Sequence, residues 1–501
     1  MKKETSVPTN AKLKRNLSPL SVWAIAFGCI IGWGSFINPG KKFLPNSGVA
    51  GTAVAMLLGA LVMIVIAFSY AYMVPKFPRA GGEFTFTKNC YGKIPAYLCG
   101  WFLVAAYLTN VPMNSTAIGL IVDGLFGGIL KWGFHYSIAG FDVWLGEILL
   151  AFFILILFGY LNVIGVKKAG YVQTVLASLL MISVFTLFIA ALVSPYAKIS
   201  NMTPWWGFDK KAAIAQGSYD ETLANQSVIS AILATFAIAP WAFVGFDTIP
   251  QAAEEFKFSY RKVIFILVIA ILFGGFVYIS NNTIAAAALD DWADRIADGG
   301  TPWLLLAAAE KMLGVFGKIL VGVAVSCAVL SGIMGFYLAS SRLMYSMSQD
   351  GYLPTWFGKI DPKYNTPKNA MIFCILISLS GPILGREALG WFVDMSAIGA
   401  SIGYLFTCLT TWHTMRRDGD GSVGLKILSV TGMFFSLSFM VLQLIPIPGL
   451  SGVRFGRESY IMLGIWVAFG VVFYLFRAKR GNIAPVPEET ETQEQVEKEH
   501  N

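Results

Sequence analysis

The sequence predicts an all-α integral membrane protein with twelve transmembrane helices, and three observations carry that prediction. Of its 501 residues, 56% are hydrophobic and 13% charged, about half the charged share of a soluble chain. Its mean hydropathy is +0.64. Uncharged runs of about 18 residues or more recur along almost the whole chain, each long enough to cross roughly 30 Å of hydrocarbon. No polar stretch is large enough to bury a core of its own, which excludes a string of soluble domains.

Taken in order, residues 1–16 are polar and read as a cytoplasmic tail. Apolar segments follow at 17–37, 50–74, 96–122, 143–165, 170–193, 227–250, 262–286, 315–340, 369–384, 388–412, 425–447 and 459–477. They are too long and too evenly apolar for barrel strands, and a helix satisfies every backbone group within itself. The first segment is expected to stay as a helix, because it is full length and no small-residue cleavage site follows it. Segments one to five fill 17–193, an external loop covers 194–226, segments six to ten fill 227–412, and the last two lie within 425–477. Pro382 and Gly385 mark the boundary between the ninth segment and the tenth. The end of the chain, 481–501, runs from Glu488 to Glu499 with almost nothing apolar, the composition of a disordered cytoplasmic tail.

Charge sets the orientation. Roughly two-thirds of the 37 Lys and Arg fall on the side of the amino terminus, among them Lys76, Arg79, Lys88, Lys167, Lys168, Arg416 and Arg417. That bias places both termini in the cytoplasm of a cell membrane and requires an even number of spans. The net charge of +8 is explained by these loops without a nucleic acid partner. Six cysteines are scattered, mostly through apolar runs, with no CxxC pair. The three histidines sit near segment ends or in the tail. Neither set has metal-ligand spacing, so no metal or cofactor is expected.

Two segments break ordinary helix chemistry. The first contains Gly28-Cys29-Ile30-Ile31-Gly32-Trp33-Gly34-Ser35-Phe36, where each glycine weakens a helix by about 1 kcal/mol relative to alanine. The sixth contains Pro240, which lacks an amide donor, and then Asp247 at membrane depth. Close packing or a tolerated kink explains either alone. Their placement five spans apart points further, to an inverted-repeat transporter with a substrate site at the bilayer midplane. A half-helix amino end suits a carboxylate, and unwound carbonyls suit an ammonium, so a zwitterion is held with almost no charged side chain.

The same residues carry a family resemblance. Ile31-Gly32-Trp33-Gly34-Ser35-Phe36 resembles an IGxGxF signature of the amino acid–polyamine–organocation (APC) superfamily of permeases. Pro78-Arg79-Ala80-Gly81-Gly82-Glu83-Phe84-Thr85-Phe86 with Gly92 is similar to its PxxGGxYxYxxxxxG loop. Leu161-Asn162 with Gly165-Val166-Lys167 matches an LNxxGVK turn, and Phe243-Val244-Gly245-Phe246-Asp247 with Glu255 a helix-six signature. Ser341-Arg342-Leu343-Met344-Tyr345, Asp350-Gly351-Tyr352-Leu353-Pro354 and Thr366-Pro367-Lys368-Asn369-Ala370 resemble the loop after helix eight. The resemblance implies a five-plus-five inverted repeat of the leucine-transporter type with two added carboxyl-terminal helices, and alternating access for amino acids or related amines.

It also implies a site. The substrate carboxylate is expected at the amides of Trp33, Gly34 and Ser35, and the amine at the carbonyls of Ile30, Trp241 and Val244. Trp241 stands where relatives carry a gating tryptophan. Leu103, Tyr107, Asn110 and Asn114 share one face of the third helix by their spacing; the asparagines there either read the substrate side chain or join helices. Ser326, Cys327, Ser331 and Ser396 are further small residues toward the site. Of the acids within spans, Glu147, Asp247 and Asp394, the candidate for a proton-sensitive role is Asp247; a helix-capping bond is its structural alternative. Leu180 occupies the place where some proton-coupled relatives keep a lysine, which argues against lysine-mediated coupling. Trp33 replaces a small residue of the family pattern.

The function expected is therefore secondary active transport, as exchanger or proton symporter, with protons and the lipid bilayer as the other partners. A membrane sensor that kept this fold without net flux is the competing class. An enzyme would need a convergent catalytic cluster, and the sequence offers none.

Overall fold

Ser18 begins the first helix: its hydroxyl accepts from the Ser21 amide at 3.2 Å, and Pro19 occupies the first turn, where its missing N–H costs nothing. The computed structural model describes residues 13–138, 141–206, 227–297, 303–385, 388–447 and 455–479. Most of residues 1–16, part of the 194–226 loop and the acidic 481–501 tail lie outside those residues.

Helix α1 (Pro19–Ile30) stops at Ile31, and α2 (Gly34–Asn38) resumes at Gly34. A π turn, Pro39–Phe43, leads into α3 (Leu44–Lys76), which bends sharply at Gly48, φ +65°. Then come α4 (Gly82–Tyr91), α5 (Lys93–Phe126), α6 (Leu145–Val163) and α7 (Val166–Val193). The second interrupted segment is α8 (Val228–Phe236), α9 (Ala239–Phe243) and 3-10 turns at Phe246–Thr248 and Pro250–Glu255. Beyond it are α10 (Val263–Ala287), α11 (Trp292–Ala297), α12 (Leu304–Leu313) and α13 (Val315–Gln349). The chain continues through α14 (Lys368–Ser378), α15 (Ser380–Leu384), α16 (Ala388–Asp418), α17 (Val423–Leu444) and α18 (Arg457–Lys479).

Ten helical stretches among the described residues are long and apolar enough to cross a membrane, and Pro19–Ile30 and Lys368–Leu384 are shorter apolar helices. Other features fall largely outside the predicted spans. His135–Ile138 and Phe141–Trp144 form an antiparallel ribbon, and α4 and α12 are packed helices too short to span.

The interrupted helices lie in the middle. Helix α1 packs against α7, α10 and α13, while α9 packs against α3 and α16. Helices α5 and α13 complete the core, with 72% of their apolar windows buried against 11% for α18. The contrast in burial sets α18 at the periphery of the bundle and α5 and α13 at its centre. Near Leu17 and Glu255 the two interrupted segments are tied by main chain. The Asn16 and Leu17 amides donate to the Glu255 carbonyl at 2.9 Å, and the Lys257 amide donates to the Leu17 carbonyl at 2.9 Å.

Candidate functional site

The two breaks are built differently. At the first, the Ile31 amide still reaches back to Phe27 O at 3.0 Å, and helix resumes with Phe36 and Ile37 amides donating to Trp33 O at 3.1 Å. Among the described residues, no acceptor takes up the amides of Gly32, Trp33 and Gly34. The Ser35 amide is already engaged with Gly32 O at 3.3 Å, as is its hydroxyl at 3.0 Å. The predicted row of donors is therefore displaced one residue toward the amino terminus.

At the second break, Pro240 starts the short helix α9, which ends at Trp241 O accepting from the Val244 amide at 3.3 Å. Val244 turns extended, and Gly245 takes φ +135°, a left-handed conformation that glycine alone adopts freely. The Thr248 amide and hydroxyl then close on Gly245 O. Among the described residues no hydrogen bond reaches the Val244 carbonyl, and Ile30 O receives only the Tyr278 hydroxyl at 3.5 Å.

The breaks touch each other at two glycines. A Cβ added at Gly245 would lie 2.6 Å from Cys29 Cβ and from the Ile30 amide nitrogen. A Cβ at Gly34 would collide with the Trp241 ring. Trp241 thus lies directly over the amino end of α2, with its ring 6.2 Å from that of Trp33. Both indoles are buried. Trp33 Nε1, Asn114 Oδ1 and Asn281 Oδ1 are buried without a hydrogen-bond partner, and Asn114 Oδ1 would lie 3.4 Å from a Cβ at Gly32. Unsatisfied polar atoms in an interior cost about 1–3 kcal/mol each, so these three are open to a polar partner.

The predicted face of α5 is buried throughout, but its members go to different places. Asn110 Nδ2 donates to Ser396 Oγ at 2.7 Å, joining α5 to α16. Asn114 borders the first break. Tyr107 lies beneath the second, where its hydroxyl is 3.1 Å from Asp247 Oδ2. Ser331 caps the first break from α13 by donating to Gly28 O at 3.2 Å. Leu180 is fully buried, while Gln173 on the same helix bridges Ala24 O and Ser331 O at 3.2 Å each. Glu147 stands in the first turn of α6, and Asp394 accepts from Ser459 at 2.6 Å.

Sequence reasoning missed the buried charges outside the apolar segments. Gly81 and Gly82 both take positive φ, and a Cβ at Gly82 would lie 2.8 Å from Gln251 Nε2. This close turn delivers Glu83 into the interior, where Tyr70 donates to it at 2.6 Å and Gln251 at 2.5 Å. Burial, with the Asp247 carboxylate nearby, pushes the Glu83 carboxyl up to about 8. Arg342 and Glu255 form a second buried set, paired at 2.8 Å. The paired glycines before Glu83 were the available signal.

Comparison with known proteins agrees with this layout. The profile of the amino acid permease family matches residues 17–472. A branched-chain amino acid permease of Bacillus subtilis is 24% identical, covering 93% of this chain and 94% of its own. A methylthioribose transporter of the same organism is 22% identical over 94% and 95%. A large neutral amino acids transporter small subunit 2 of Oryctolagus cuniculus is 26% identical over 73% of this chain and 64% of its own. The chain belongs to the amino acid permease family of the APC superfamily, a family of integral membrane transporters and not of enzymes.

Proposed function

We propose that this amino acid permease is a secondary active transporter that carries amino acids or related amines by alternating access, as an exchanger or proton symporter. It does so with twelve membrane helices, ten of them in a five-plus-five inverted repeat, and with both termini on the cytoplasmic side of the cell membrane. The observation that carries this reading is the crossing of the two breaks at Gly245 and Gly34, which brings free amides and a free carbonyl to one place.

In this reading the substrate carboxylate meets the amides of Trp33 and Gly34, with Gly32 added and Ser35 contributing its position more than its engaged N–H. The ammonium meets the carbonyls of Ile30 and Val244, with Trp241 O alongside. Trp241 is the gate: its ring occupies the approach to Gly34, so it must swing away before a carboxylate reaches the amides. Asn114 and Trp33, with unpaired acceptor and donor atoms, face the substrate side chain, whereas Asn110 joins helices through Ser396. Asp247 is the coupling acid, held by the Gly245 amide at 2.7 Å. Among the described residues, the side chains that meet Gly34 and Gly245 are uncharged, which supports zwitterionic substrates.

The test is uptake into proteoliposomes preloaded with a panel of amino acids and amines, with and without a pH gradient. Exchange is expected for at least one zwitterionic amino acid. Binding without flux for every member of the panel would return the protein to the sensor class.

A further inference from the structure

Below the second break, two acids face one phenol. Tyr107 Oη lies 3.3 Å from Glu83 Oε1, 3.1 Å from Asp247 Oδ2 and 3.1 Å from the Asp247 carbonyl. A phenol has one hydrogen to give, and an ionised carboxylate only accepts. Tyr107 therefore satisfies one carboxylate; the other can bond to the same oxygen only by carrying a proton and donating it.

The surroundings supply no alternative compensation. Glu83 is also held by Tyr70 and Gln251, and Asp247 by the Gly245 amide, all neutral donors. The titratable groups facing the pair are Tyr70 of α3, Cys99 and Tyr107 of α5, Tyr404 of α16 and Cys29 of α1, none of them cationic at neutral pH. Among the described residues, neither carboxylate is ion-paired with a lysine, arginine or histidine, and Arg342 is committed to Glu255. Both acids are fully buried. Two like charges without a cation, in an interior of low dielectric, do not both ionise near neutral pH.

Resting on the transport reading above, we propose that Glu83 and Asp247 hold one proton in common across Tyr107. The pair is a two-carboxylate proton site that ties α4 to the second interrupted helix, and it makes Glu83 as necessary to pH dependence as Asp247. Only O–H bonds change: the proton comes from water and returns to it, and the two acids titrate as a unit. The direction of the Glu83 shift agrees, since a carboxyl pushed up to about 8 keeps the proton at neutral pH and releases it in alkali. Tyr107 is a positioning residue, keeping the two acids within reach of one hydrogen.

Acid-minus-alkaline infrared difference spectra of the full chain in lipid read protonated carboxyls without any substrate. The wild type is expected to show a band titrating near 8. Glu83→Gln and Asp247→Asn should each shift that midpoint down by about one pH unit or more, because the remaining acid no longer faces a like charge. Glu83→Asp keeps an acid in place and should retain the titration, which separates loss of the proton from loss of packing. A midpoint unchanged in Glu83→Gln overturns the shared proton. Uptake against pH in the same variants separates the two readings. If Asp247→Asn alone flattens the profile, the shared proton fails and transport stands. If the infrared titration behaves as expected but no solute moves, the transport reading fails and the proton site stands.

Discussion

The two interrupted helices do the same thing to the backbone and have opposite chemistry. The first opens at Gly32–Gly34 and, among the described residues, leaves amides without acceptors, with no acid in the break itself. The second opens at Val244–Gly245, leaves a carbonyl without a donor, and continues within two residues into Asp247. A helix amino end and an unwound carbonyl are complementary partial charges, so in the proposed reading one break takes the anionic end of a solute and the other its cationic end. The difference also locates control. The first break is bordered by Asn114, Asn281 and Ser331, which do not titrate, whereas the second is wired to Tyr107, Glu83 and Gln251. In the proposed reading, substrate recognition is shared between the breaks, and proton sensitivity belongs to one.

The contrast is broken most severely at Gly245. A methyl group there meets Cys29 and the Ile30 amide at 2.6 Å and also requires φ +135°. Gly245→Ala should cost roughly 2–4 kcal/mol by steric and backbone strain together, and sharply lower the yield of monodisperse protein in size-exclusion chromatography. Gly34→Val should leave the protein in the membrane but abolish equilibrium binding of amino acid, because the carboxylate must approach main chain closely. Retained affinity would contradict the first break as an anion site. Trp241→Ala should reduce uptake about tenfold or more by removing the gate, a loss of roughly 1.4 kcal/mol in transition-state terms; unchanged uptake would remove Trp241 from that role.

A smaller effect sharpens the comparison through pH. The Glu83 carboxyl rises from 4.5 to about 8 on folding, so within that window the folded state holds more protons than the unfolded one. The contribution of Glu83 to stability is therefore fully present below 4.5, falls as pH rises through the window and is lost above about 8. Thermal unfolding of the solubilised protein should show this decline in the wild type and a flatter profile in Glu83→Gln. Smallest of all, Asn114→Ala should alter which side chains are accepted, while Asn110→Ala, breaking its bond to Ser396, should lower thermal stability without changing the substrate ranking in competition uptake.

The breaks themselves were legible because glycine and proline act locally: Gly32, Gly34, Pro240 and Gly245 disrupt a helix whatever surrounds them. The long apolar helices were legible for the same reason, and α6 at Leu145–Val163 falls within the segment read at 143–165. Glu83, Glu255 and Arg342 were not, because their neighbours in sequence read as loop. Their burial depends on partners 13 to 168 residues away, such as Tyr70, Tyr107 and Gln251 for Glu83. Periodicity carries no information about such partners. The same holds for the shift from Ser35 to Gly32 in the free-amide row, which follows from a turn in which the Ser35 amide closes on Gly32 O.

The central claim is that main-chain atoms at the two crossings grip both charges of a small zwitterion. It is tested most directly by competition against the best substrate of the counterflow panel, using that amino acid, its carboxamide and its N-acetyl derivative. Removing either charge should weaken competition by about tenfold or more, the equivalent of 1.4 kcal/mol, in protein where Gly34 and Gly245 are intact. Equal competition by all three compounds would contradict it.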